Sequence, residues 1–253
     1  MELKMKKFLA VTFLSVVSFV IMSCSSTQVQ EYANDEEVYL NALKLFNDKD
    51  YREAMQLFDM ILLQYPASKF ADDAQFYISE INFIDEKYIL AGFNYQKLIR
   101  NYPASDYVKI AFYKSALCNY LLSPTFDRDQ RYTYEAIKSF QEFQMLYPGD
   151  SLSAEAEKKI MELRNKLANR EFFTAELYRK IDSPISSIIY YDEVIKKYPD
   201  TKFYEPAFYG KIETLYEIGK YEQLKSLIQL YKSQFPNSSN FAKVVEIEKA
   251  ITN

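Results

Sequence analysis

Few side chains in this chain could do covalent or acid–base chemistry. There is no His among the 253 residues, which removes Ser–His and Cys–His nucleophile pairs, HExxH sites and imidazole metal ligands. No Gly-rich phosphate cradle is present. Two thiols occur, Cys24 and Cys118. Cys118 sits in KSALCNYLL, where apolar neighbours indicate a buried structural thiol rather than a nucleophile. Carboxylates cluster at Asp35-Glu36-Glu37 and Asp72-Asp73, beside expected helix N-termini, where negative charge complements the helix dipole. Solvated faces explain them better than an acid/base pair. No reaction, cofactor or metal is expected.

Cys24 has a different context. Lys4, Lys6 and Lys7 precede FLAVTFLSVVSFVIM (8–22), a 15-residue apolar run too short for a comfortable membrane span. This is the pattern of a secretory signal over 1–23. The run ends at Ser23-Cys24, followed by polar SSTQVQ. Such a Cys is similar to that of a bacterial lipobox, although Ile21 and Met22 depart from the usual Leu-small pair. The chemistry implied is a thioether from Cys24 to diacylglycerol with N-acylation by a fatty acid such as palmitate. Several acyl chains on one residue make a durable anchor where a single chain binds weakly. Ser25 and Ser26 supply no acidic retention signal, which favours the periplasmic face of the outer membrane. Residues 24–33 then form a linker. Without Glu2, Lys4, Lys6 and Lys7, the 31 basic and 35 acidic side chains become 28 and 34, a net charge of −6. With Cys24 acylated, Cys118 has no disulfide partner in the chain.

The elements that carry this chain are helical by composition and period. Apolar residues make up 49%, while Gly and Pro number only 4 and 8. Net charge is −4, which argues against a general nucleic-acid surface. Five prolines sit in one recurring phrase: QYPAS, NYPAS, LYPGDS, KYPDT and QFPNS, with Pro66, Pro103, Pro148, Pro199 and Pro236. Eight residues before each come Phe58, Tyr95, Phe140, Tyr191 and Ile228. Twelve before come Ala54, Ala91, Ala136, Ser187 and Leu224. Ala54, Leu57, Phe58, Ile61, Leu62 and Tyr65 lie on one helical face. The proline stops the helix, and the Ser or Thr after it is placed to cap the next one. Segments 36–47, 71–84 and 205–217 supply the preceding helices, joined by NDKDY, DEKY and GKY. The pattern resembles the tetratricopeptide repeat, best in repeats one and two with small Ala42 and Ser79. Repeat five departs, with Ile212 and Leu224 at usually small positions. Repeats three and four carry 8 and 14 extra residues, so their helices are longer or differently joined. NSSNFAKVVEIEKAITN is the expected capping helix. The expected fold is all-α, a superhelix of about five helix pairs over 34–253, with N-terminal repeats in 34–105 and C-terminal repeats in 106–253.

The insertion in repeat three is more specific. Ala116-Leu117, Tyr120, Ser123-Pro124, Asp127-Arg128-Asp129-Gln130, Thr133, Ala136-Ile137, Phe140, Phe143 and Tyr147-Pro148 resemble the BamD family, lipoproteins of the outer-membrane β-barrel assembly machinery. The resemblance covers about 33 to 236. It implies a non-catalytic scaffold whose C-terminal repeats bind the periplasmic domain of a BamA-like barrel-forming subunit. Its N-terminal repeats would read the C-terminal signal of unfolded outer-membrane protein precursors, an amphipathic segment ending in an aromatic residue. By repeat register, Tyr39, Leu43, Phe46, Phe76, Glu80 and Phe83 face that groove, unless they pack the core instead. Arg128, between Asp127 and Asp129, either bridges to a partner carboxylate or is fixed by these two neighbours. Lys196, Lys197 and Lys202 make a basic patch near which the resemblance places the barrel subunit, or a solvated face. Glu205 stands where the family often has Arg, which puts that particular contact in doubt.

Two other readings compete. A repeat lipoprotein of envelope maintenance or peptidoglycan synthesis usually adds an N-terminal coiled coil, but EYANDEEVYLNALKLF enters repeat one without heptads. An enzyme built on helical repeats would need a catalytic domain, and the repeats leave no residues for one.

Overall fold

The computed structural model describes residues 32–252, among which there are eleven α-helices and no strand. They are α1 (Asp35–Asn47), α2 (Tyr51–Gln64), α3 (Ala71–Ile84), α4 (Tyr88–Asn101), α5 (Val108–Leu122) and α6 (Arg131–Leu146). The C-terminal part has α7 (Ser151–Lys180), α8 (Pro184–Lys197), α9 (Tyr204–Glu217), α10 (Tyr221–Gln234) and α11 (Phe241–Thr252). Successive helices pack as antiparallel pairs, and α11 covers α9 and α10 through Val244, Ile247 and Ile251. The expected five pairs and capping helix are therefore present.

Each second helix ends by the same device. Tyr65, Tyr102, Tyr147, Tyr198 and Phe235 all have φ between −125° and −131°, out of the helical region. The ring of the following proline clashes with a helical conformation at the residue before it, which fixes this exit. The serine that follows caps slightly earlier than the sequence suggested. Ser68 Oγ accepts from Phe70 N–H at 3.0 Å and Ser105 Oγ from Tyr107 N–H at 3.2 Å. These N–H groups belong to the turn before α3 and α5 rather than to their first helical residues.

The core follows the repeat. Ala54, Ala91, Ala136, Ser187 and Leu224 are fully buried, as are Phe58, Tyr95, Phe140, Tyr191 and Ile228. In repeat five Ile212 is also fully buried, and Gly210 supplies the close approach. A Cβ at Gly210 would lie 2.4 Å from Tyr191 Cζ, so no larger residue fits without moving that ring.

The extra residues take two forms. In repeat three they form the segment 123–130 between α5 and α6. In repeat four they lengthen α7 to 30 residues, against 13 to 15 for the first helix of every other pair.

Candidate binding surfaces

The first helices of successive pairs are tied side by side by a ladder of polar contacts. Tyr39 Oη donates to Asp73 Oδ1 at 3.2 Å, and Tyr107 Oη donates to the same oxygen at 3.0 Å. Lys114 pairs with Glu80, which also accepts from Tyr95 Oη. Arg179 pairs with Glu213 at 2.7 Å and with Glu217 at 2.5 Å. Partners in repeats one to three are 34 residues apart, and Arg179 and Glu213 keep the same separation. Between α5 and α7 it becomes 41 to 43: Lys109 with Asp150, Tyr113 with Glu155, Tyr120 with Glu162, Lys166 with Ser123. The seam is the same, offset by the insertion.

All six expected groove residues lie on this face and are half-buried. Tyr39 stacks on Phe70 at 4.4 Å, and Phe76 stacks on Tyr107 at 4.1 Å, the same pairing one repeat later. Phe46 lies edge-on to Tyr51 and Tyr77. Phe83 carries Lys114 Nζ over its ring at 5.1 Å. Glu80 is committed to Tyr95 and Lys114, so its carboxylate has a structural task in the seam. Leu43 is half-buried one turn after Tyr39. Burial, with help from Asp72, raises Asp73 above the usual carboxylate range, while its two tyrosine donors oppose the shift. The same burial raises both tyrosine hydroxyls, which stay protonated donors at neutral pH.

Arg128 is exposed, and among the described residues it makes no ion pair with Asp127, Asp129 or any other carboxylate. Fixing by its two neighbours is thus not what holds the insertion. Asp127 is held below the usual carboxylate range by a hydrogen bond from Thr125. Asp129 Oδ1 accepts from Arg131 N–H at 3.1 Å. The segment is pinned by Gln130, which is buried. Its Nε2 donates to the carbonyls of Thr125 (2.7 Å) and Arg128 (2.9 Å), and its Oε1 accepts from Thr133 Oγ1 (2.7 Å). Arg170 donates to the Arg128 carbonyl at 2.8 Å, and Phe126 packs edge-on against Phe173.

Lys196, Lys197 and Lys202 are exposed at the end of α8 and the turn after it. Lys197 pairs with Glu193 four residues earlier, and Lys202 Nζ lies 5.3 Å above the Phe203 ring. Arg164 reaches this turn from α7, with a bidentate pair to Asp200 at 2.5 and 2.6 Å and a bond to the Lys197 carbonyl. Glu205 faces inward, accepting from Tyr231, Ser238 and Asn240. Cys118 is buried, and burial pushes its thiol up to about 12, against a nucleophilic role. Cys24 lies outside the described residues.

Sequence reading took Asp73 only as part of a solvated acidic cluster, whereas its carboxylate holds Tyr39 and Tyr107, and it did not single out Tyr107, Arg170 or the Arg179–Glu213–Glu217 cluster. The 34-residue separation was available as a signal, but it links polar residues whose spacing has no local pattern.

This geometry defines a helical-repeat scaffold, a stack of paired helices with a capped end and surfaces suited to other proteins. A family model described as "YfiO: Outer membrane lipoprotein" matches residues 31–230, and the chain belongs to that family. The Outer membrane protein assembly factor BamD of Rickettsia prowazekii is 24% identical over 99% of this chain and 100% of its own length. That of Pasteurella multocida is 22% identical over 78% of this chain and 80% of its own. A tetratricopeptide repeat protein from Parabacteroides merdae covers 85% of this chain and 73% of its own at 11% identity, with a TM-score of 0.38. The fold assignment rests on the helix pairs themselves.

Proposed function

We propose that this chain is an assembly factor for outer-membrane β-barrels: a non-catalytic scaffold, anchored through Cys24 to the periplasmic face of the outer membrane. The observation that carries the reading is the family match across 31–230, which spans α1 to α9 and most of α10, with the Asp127-Arg128-Asp129 insertion and the α8–α9 turn. Its N-terminal groove, with Tyr39, Leu43, Phe46, Phe76, Glu80 and Phe83, reads unfolded barrel precursors. Half-buried aromatic and aliphatic side chains suit an amphipathic strand with a terminal ring. Its C-terminal repeats dock a BamA-like barrel subunit through Lys196, Lys197 and Lys202, with Arg128 available to a partner carboxylate.

Affinity purification of the tagged protein from its own membrane tests the reading. A BamA-like barrel protein is expected to co-purify. Isolation with peptidoglycan-synthesising enzymes instead would overturn it. Reversing Lys196, Lys197 and Lys202 to Glu is expected to weaken that co-purification in a salt-dependent way, as surface steering does. Unchanged recovery at low salt would remove this face from the interface. Cys24→Ser is expected to leave the protein soluble or unprocessed. A variant that stays in the outer membrane through high-salt washing would refute the anchor.

A further inference from the structure

α7 is about 45 Å long at roughly 1.5 Å per residue, twice the length of the other first helices. Its first half stacks on α5 through Glu155, Glu162 and Lys166. α5 stops at Leu122, so from there the insertion alone covers this side of α7, through Arg170 and Phe173. Positions 166, 170, 173, 177 and 181 recur at intervals of three and four and share one helical face. On it Phe173, Leu177 and Ile181 are 52%, 47% and 61% exposed. The opposite side of this half packs on α8 and α9, with Ala175 buried and Arg179 paired to α9. The face that should meet a preceding helix thus stays apolar after that helix has ended, and an apolar stripe rimmed by polar groups marks an interaction site.

The charges at its rim say what fits. Lys166, Arg170 and Lys180 lie on or beside the stripe, and Arg128 sits on the loop above it. None of the four makes an ion pair among the described residues. Lys166 and Arg170 donate to a hydroxyl and to carbonyls, and to no carboxylate. Elsewhere on the ladder, cations end on carboxylates. The neighbouring acids are mostly engaged elsewhere: Glu162, which faces Lys166, accepts from Tyr120, and Glu171, beside Arg170, also faces Glu193 and Lys197. Asp127 bonds Thr125, Asp129 caps Arg131 N–H, Glu176 accepts from Tyr191, and Asp182 lies in the turn. In a chain of net charge −4, this is an apolar stripe lined by cations that pair with no carboxylate among the described residues.

We infer that this half of α7 docks an acidic amphipathic helix of a partner protein, which takes the stacking position that α5 leaves empty. Such a helix would present apolar residues at intervals of three and four, with Glu or Asp on its flanks. The surface is distinct from the Lys196–Lys202 face. Arg164 marks that end of α7, and Ile181 lies seventeen residues further, roughly 25 Å along the axis. It stands whether or not the N-terminal groove binds precursors.

The test uses detergent-solubilised full-length protein and two designed 20-residue helical peptides with identical apolar positions, one flanked by Glu and its twin by Lys. Fluorescence anisotropy is expected to show binding of the Glu peptide, at least tenfold tighter than its twin at low salt. The double variant Leu177→Gln/Ile181→Gln is expected to lose at least tenfold. Lys180→Glu, a change at an exposed side chain, is expected to lower affinity for the Glu peptide and raise it for the twin, and keeps the test decisive should the double variant unfold. Equal binding of the two peptides, no binding of either, or indifference to Lys180→Glu would overturn the proposal. A dimer in sedimentation, or binding to phosphatidylglycerol vesicles, that disappears in the double variant would also overturn it, by giving the stripe to a second copy or to lipid.

Discussion

Repeats one, two, four and five turn from first to second helix in one way, and repeat three in another. In the four, a left-handed residue closes the first helix: Lys49, Glu86, Asp182 and Gly219, with φ between 58° and 69°. The amide one residue later reaches back to the carbonyl five residues before it, from Asp50 to Leu45, Lys87 to Asn82, Ser183 to Tyr178 and Lys220 to Leu215, at 2.8 to 3.0 Å. This is the Schellman closure, which satisfies helix-end carbonyls and brings the chain straight back. Repeat three cannot use it. Pro124 forces Ser123 to an extended φ, ψ of −67°, 115°, so the chain leaves α5 outward. Eight residues then wander before α6 begins, and their backbone groups need partners that no helix provides. Gln130, Lys166 and Arg170 supply them. Regular repeats are therefore closed by backbone geometry, whereas the irregular one is closed by side chains, its own Gln130 together with Lys166 and Arg170 of α7.

The largest effect should come from removing that side-chain closure. Gln130→Ala removes one of the hydrogen bonds made by the Thr125 and Arg128 carbonyls and by the Thr133 hydroxyl, each of which keeps one other partner, at about 0.5–1.5 kcal/mol per lost bond. Because a solenoid opens locally, hydrogen exchange is the sensitive readout. Amides of 123–134 are expected to lose protection while those of α1 and α2 keep theirs. Uniform loss across the chain would mean that the insertion is not separately closed.

A smaller effect of opposite sign is expected at a regular turn. Glu86 holds φ 58° without being Gly, a conformation that L side chains disfavour. Glu86→Gly should stabilise repeat two by about 0.5–1 kcal/mol, net of the entropy that Gly adds to the unfolded chain. Slower exchange in α3 and α4 would bear this out; faster exchange would show that the Glu86 side chain contributes more than its backbone strain costs.

The same contrast explains what could be read from the sequence. The proline phrase, the small residues and the aromatic eight before each proline act locally and recur, so the five pairs and the capping helix were legible. The 14 extra residues of repeat four were visible as a length, but not as one continuous helix, since α7 changes neighbours halfway without changing its period. Adjacent opposite charges made local fixing by Asp127 and Asp129 one of two readings for Arg128, yet the loop geometry turns those carboxylates to Thr125 and Arg131. The six residues expected in the groove lie in the first helices of repeats one and two. Their commitments to Phe70, Tyr107, Tyr95 and Lys114 come from turns and helices more than a dozen residues away, which helical period does not report.

Those commitments decide where the central claim is best tested. Tyr39, Phe76 and Glu80 hold neighbouring repeats together, so replacing them would mix binding with folding. Leu43 is half-buried on the same face as Tyr39 and carries no polar bond. A photoreactive residue at position 43 should capture a peptide that copies the last strand of an outer-membrane protein, with its terminal aromatic. One at Glu246, exposed on the capping helix, should not. Capture at 43 alone is the result this account predicts; equal capture at both positions, or capture at 246 only, would contradict it.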